Sequence, residues 1–168
     1  MKQLILSIVL FAMPFMASAQ QQIKYGYFSY KDAFMSMPDY TVASRNMESL
    51  KAKYDAEMKR AEDEFNNKYE EFLDGQKDFA PSILRKRQAE LQELMEKNLA
   101  FKEESKRLLK QAEDETYAPL KKKLSDVVRG IGDARGYAFI LNTDNDAVPY
   151  VSSAMGEDIS TLIKDSLR

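Results

Sequence analysis

Two charge-dense stretches of nearly equal length, joined by a short break, constrain this chain most. Across residues 41–78 the apolar and small positions Met47, Leu50, Tyr54, Met58, Ala61, Phe65, Tyr69 and Phe72 recur at steps of 3, 4, 4, 3, 4, 4 and 3. An eleven-residue period corresponds to about 3.67 residues per turn, which predicts a helix whose stripe runs straight or slightly right-handed. The break carries Gly75 and then Pro81. Glycine permits left-handed backbone and proline suits the first turn of a helix, so a turn is expected near residues 74–82. Beyond it, Leu84, Arg87, Leu91, Leu94, Asn98, Phe101, Ser105, Leu108 and Ala112 alternate at steps of 3 and 4. That is heptad spacing, with polar residues at three of the positions. Residues 41–78 and 82–118 therefore predict an antiparallel hairpin, each arm about 55 Å long. The hairpin returns Pro119 to the level of Thr41. A proline inside a helix loses a hydrogen bond and crowds the preceding turn, so a kink or restart, and with it a hinge, is expected at Pro119.

The chain ends read differently. Residues 23–28 are short and aromatic-rich, as in a strand. Residues 31–37 suit a short helix stopped by Pro38, because proline disfavours helix in the residue before it. After Pro119, Leu120, Leu124, Val127, Val128 and Ile131 form a denser stripe that suits a core. Glycines at 130, 132 and 136 close that helix. A strand at 137–141, a turn at 142–146 and a returning strand at 147–151 are expected next. Asp158-Ile159-Ser160 opens a terminal helix with Ile159, Leu162, Ile163 and Leu167 on one face. The fold class is α+β. A long helical arm (residues 41–118) is inserted into a small strand-and-helix body made from residues 20–40 and 119–168.

The start of the chain bears on where it works. Lys2, an apolar run from Leu4 to Met16 and the small residues Ala17-Ser18-Ala19 have the form of a secretory leader over residues 1–19. Cleavage is expected after Ala19, which exports the mature chain from the cytoplasm. Losing Lys2 leaves 24 of the 25 bases against 27 acids, a net charge of −3. A slightly acidic chain lacks the basic face of a nucleic-acid binder. It also gives no support to contact with an anionic membrane surface. With no Cys and no His, the chain can form neither a cysteine nor a Ser-His catalytic centre, and no ordinary structural zinc site. No G-x-x-x-x-G-K-[ST] loop is present. The glycines at 130, 132 and 136 have the wrong spacing and context for a dinucleotide loop. Asp144-Asn145-Asp146 lacks the rest of a calcium loop. A non-enzyme without metal or cofactor is expected.

The order of these segments resembles the Skp (OmpH) family of periplasmic chaperones. Residues 23–28 are similar to the family's first strand, and Gly136-Tyr137-Ala138-Phe139-Ile140-Leu141-Asn142 to its second. Tyr150 stands where its third strand carries a tyrosine, Asp158-Ile159-Ser160 resembles its terminal D-I-T, and Pro119-Leu120 its Pro-Ile step. The resemblance implies a homotrimer whose arms enclose a cavity for unfolded outer-membrane β-barrel proteins. It also implies a body joined through residues such as Ile23, Tyr25, Tyr27, Phe28, Phe139, Leu141 and Tyr150. The family's best-known members are basic, unlike this chain.

Apart from the resemblance, a two-helix arm and a few short strands are too small to stand alone, so assembly is expected. Met95, Leu99 and Leu109 on a ridge beside the second seam, with Leu73 and Phe79 off the first, are the expected client-binding side chains. Flexible thioether and aliphatic groups suit adaptable contacts. The competing reading of these residues is hairpin core, and the competing function is a secreted coiled-coil adaptor for one folded envelope partner.

Overall fold

The computed structural model describes residues 23–168, so the expected leader and its cleavage point lie outside the described residues. In chain order the elements are β1 (Tyr25–Phe28), α1 (Tyr30–Met35), α2 (Pro38–Gly75) and α3 (Pro81–Arg135). They are followed by β2 (Phe139–Asn142), a 3₁₀ turn (Asp144–Asp146), β3 (Gly156–Asp158) and α4 (Ser160–Ser166).

The two long helices form the hairpin that the spacing predicts. α2 begins at Pro38 rather than Thr41, with the proline at the start of its first turn. Proline there gives up an N–H that would have no partner in any case. α3 opens on Pro81 in the same way and runs to Arg135, beyond the expected end at Ile131. Gly130 and Gly132 are absorbed within the helix. The residue that stops it is Gly136, left-handed at φ 64, where the Tyr137 N–H returns to the Gly132 carbonyl.

The restart expected at Pro119 does not occur, for α3 passes through it as one helix. Pro119 is exposed, so the carbonyl it leaves without a partner can be hydrated. Tyr117 and Leu120, on either side, are held by packing. Along the seam every expected position is at least partly buried except Tyr69 and Arg87. Asn98 donates to the Ala61 carbonyl across the hairpin (3.0 Å), and the Tyr54 and Phe101 rings lie 6.3 Å apart.

The sheet departs from the expected arrangement. Its order is β2-β1-β3, and both neighbours run parallel to β1. The returning strand expected at 147–151 is not formed, and the third strand is Gly156–Asp158 instead. Pro149 has no N–H to give to a ladder. Gly156 is required at its place because a Cβ there would stand 2.5 Å from the Tyr25 ring. Tyr150 is consequently outside the sheet and 80% exposed.

The core gathers both ends of the chain. Phe28, Ala33 and Met37 meet Leu120, Leu124 and Ile131 of α3 and Ile159, Ile163 and Leu167 around α4. From α2 only Ala43 joins them. Where the arm leaves this core, Phe34, Tyr40 and Tyr117 form an aromatic triangle with centroids 5.3 to 5.9 Å apart. Among the described residues no helix is long and apolar enough to cross a membrane.

Candidate functional site

Side chains at about 100° intervals around two antiparallel helices divide the arm into two faces. On one face stand Tyr69 and Leu73 from α2 with Met95 and Leu99 from α3. Their exposures are 45%, 43%, 47% and 57%. These are large apolar groups left in water on a helix pair whose seam is otherwise covered. Nearer the core the same face holds a groove floored by Met47, Leu109 and Tyr117, with Lys51, Lys106 and Lys110 on its rim. Leu109 is partly buried in that groove rather than exposed on a ridge. Phe79 is also not free. At the arm tip its ring fills the space beside Gly75, where a Cβ would meet it at 2.5 Å, and it packs on Phe72 at 6.3 Å.

The opposite face is charged. Lys68, Glu71, Arg87 and Glu90 line a crevice there, and Arg87 pairs with Glu90 at 3.0 Å. Arg60 pairs with Glu57, and Lys86 with Glu90. Exposed pairs one turn apart contribute little stability each, because water screens them. Their main effect is solubility. Of the large apolar side chains on this second face, Ile83 is prominently exposed.

The other expected contact residues lie on the sheet. Strand alternation turns Gly26 and Phe28 towards the core, so Phe28 belongs to the protomer's own interior. Tyr25 and Tyr27 point the other way, as do their in-register partners Phe139 and Leu141. Tyr25 and Phe139 stack at 5.3 Å. Among the described residues no helix covers this side of the sheet, Val151 approaches it beside Tyr25, and Ile23 is exposed. β2 and β3 each keep one unpaired edge.

One polar cluster ties the sheet to the long helix. The Tyr137 hydroxyl and Arg135 both donate to the Glu157 carboxylate, and Lys24 sits 3.9 Å from it. The Lys24 ammonium also lies 5.2 Å over the Tyr137 ring. Desolvation, aided by Glu157, pushes the Tyr137 phenol up to about 12. The Tyr137 hydrogen bond, followed by Arg135 and Lys24, holds Glu157 below the usual carboxylate range. The cluster presents no nucleophile or open coordination position. Its geometry is that of a clamp holding β3 against the end of α3. Asp144 acts similarly at the other end of the sheet, where it accepts from the Ser29 hydroxyl and the Lys31 N–H at 2.6 and 2.9 Å. No group of His, Cys, Asp or Glu suited to a metal ion is found among the described residues.

Sequence spacing found the seam but missed the groove. Tyr117 carries no seam phase, and Met47 was assigned to the seam alone. Projecting both helices in antiparallel register would have placed the two with Leu109.

Residues 24–167 match the model of a family described as outer membrane protein (OmpH-like). The crystal structure of an OmpH-like outer-membrane chaperone candidate from Caulobacter crescentus CB15 superposes with a TM-score of 0.67 at 15% identity. The match covers 86% of this chain and 83% of that one, and at such identity it is a likeness of fold. No curated protein matches the sequence.

Proposed function

Since the chain belongs to the OmpH-like outer membrane protein family, we propose that it is an ATP-independent holding chaperone for unfolded outer-membrane β-barrel proteins. In this reading it works in the periplasm as a homotrimer. The observation that carries the proposal is the one-sided arm. Tyr69, Leu73, Met95 and Leu99 expose apolar surface on one face, while ion pairs keep the other soluble. Surface of this kind serves a partner that offers apolar groups without fixed shape. Several weak contacts on one arm, multiplied over three arms, would hold a client through effective concentration while each contact stays reversible. The uncovered side of the sheet, with Tyr25, Tyr27, Phe139 and Leu141, supports assembly of three bodies there. Pro119 stands beside the aromatic triangle and is the proposed pivot of the arm.

The test is the triple substitution Leu73→Gln, Met95→Gln and Leu99→Gln. The variant should remain a trimer by native mass measurement yet lose most of its ability to keep an unfolded barrel protein soluble. A trimeric variant with undiminished holding would overturn the reading.

A further inference from the structure

The apolar surface of the arm is discontinuous, and its spacing carries a measurable length. One station is the groove of Met47, Leu109 and Tyr117. The other is the ridge of Leu99, Met95, Tyr69 and Leu73. Register along the hairpin is fixed by Asn98 beside Ala61 and Phe101 beside Tyr54. With a rise of 1.5 Å per residue, the ridge then extends about 20 Å and its centre lies about 30 Å from the centre of the groove. Between the two, the face is polar. Glu62 and Lys102 flank the crevice beside Leu99, Lys51 rims the groove, and none of the three forms an ion pair among the described residues.

We infer that each arm binds one extended strand of an unfolded outer-membrane barrel protein at two points, with an aromatic residue near each end of the strand. This rests on the holding function proposed above and specifies its ligand. A barrel strand of about 9–11 residues carries girdle aromatics at the two edges of an apolar band about 25 Å tall, and at a tilt of about 40° these lie about 33 Å apart along the strand. In an extended chain at about 3.3 Å per residue, the roughly 30 Å between station centres is covered by about nine residues. The length of the ridge extends that reach to the full strand. Alternate residues of such a strand are polar, because they face the barrel lumen. The belt between the stations meets them with free groups of both signs. The groove accepts a flat ring between Met47 and Tyr117, with the Lys51 ammonium, which forms no ion pair among the described residues, available for cation–π contact at its rim.

The experiment uses the mature full chain and synthetic peptides carrying one phenylalanine at each end of a rigid polyproline spacer. Proline spacers rise about 3.1 Å per residue and act as a ruler. Binding, followed by fluorescence anisotropy, should be tightest at about nine to eleven prolines and at least ~10-fold tighter than at three, because the second contact becomes intramolecular. Met95→Gln with Leu99→Gln should remove the ridge station, flatten this dependence and bring the two-phenylalanine peptides to the affinity that the groove alone shows for one phenylalanine. Affinity that ignores spacer length, or an optimum that survives in the variant, would refute two-station binding. If the wild-type chain also fails to hold unfolded barrel proteins, the underlying function falls as well. If holding persists without a spacing optimum, only the two-station inference falls.

Discussion

Replacing Ser105 by alanine is expected to stabilise the arm. Ser105 lies in the hairpin seam one turn beyond Phe101, is 1% exposed, and its hydroxyl has no hydrogen-bond partner. A buried hydroxyl without a partner costs about 1–3 kcal/mol. Alanine removes that cost and improves helix propensity by about 0.5 kcal/mol. Loss of one oxygen leaves a void of about 10–15 Å³, which at ~24 cal/mol per Å³ takes back only about 0.3 kcal/mol. The net gain is about 1–3 kcal/mol. For a chain of this size, 1 kcal/mol moves the melting temperature by about 2–4 °C, so Ser105→Ala should melt several degrees higher. The assay is thermal unfolding by circular dichroism at fixed protomer concentration, because association makes the midpoint concentration-dependent. Asn98→Ala supplies the opposite case. Asn98 is a seam polar residue that is satisfied, through its 3.0 Å bond to the Ala61 carbonyl, and losing it should cost about 0.5–1.5 kcal/mol. If Ser105→Ala melts at or below the wild type, the hydroxyl is bonded, for example back to a carbonyl of its own helix. The view of Ser105 as a defect in the seam would then be wrong.

Gly156→Ala should destabilise the sheet by about 1–3 kcal/mol, because the added methyl meets the Tyr25 ring at 2.5 Å and Val151 at 3.0 Å. Urea unfolding measures it, and a neutral result would show that the ring has room to move. Leu124→Ala, at a position with no exposed surface, should cost about 2–5 kcal/mol in the same assay. Glu157 gives a pH dependence whose sign follows from its lowered value. The clamp's contribution is fully present above the unfolded glutamate pKa of 4.5 and is lost as pH falls through the lower folded value. Glu157→Gln should therefore lower stability at pH 7 and reduce the loss between pH 5 and about pH 3. Parallel acid profiles for the two proteins would rule the clamp out as a source of acid sensitivity.

The arm was legible because helical periodicity is written into every turn, and eight side chains in phase outweigh any single intruder. Tyr69 shows where that reasoning stops. It keeps the seam spacing, yet it stands at the edge of the stripe and is exposed, since phase alone does not say which edge of a stripe the partner covers. The third strand was illegible for another reason. Gly156-Glu157-Asp158 has almost no β-propensity and pairs only because Tyr27 and Tyr25 offer a free edge and a ring that needs a glycine opposite. Val148-Pro149-Tyr150-Val151 looked more like a strand and lacked the donor to be one. At Pro119 the helix continues without the expected restart. Packing of Tyr117 and Leu120 outweighs one missing hydrogen bond at an exposed turn. Of the expected contact residues, Leu73, Met95 and Leu99 lie together on one face because all three fall off the seam on the same side. Leu109 satisfies the same phase rule but is partly covered by the groove walls, and Phe79 lies in the tip turn between the two helices, which no spacing reveals.

The central claim is that this chain holds unfolded barrel proteins without nucleotide, and light scattering with native mass measurement tests it most directly. Several unrelated outer-membrane barrel proteins, diluted from denaturant with the mature chain and no ATP, should stay soluble at about one trimer per client, with a complex of that mass. Aggregation at the unassisted rate, or protection of a single folded partner alone, would contradict the account.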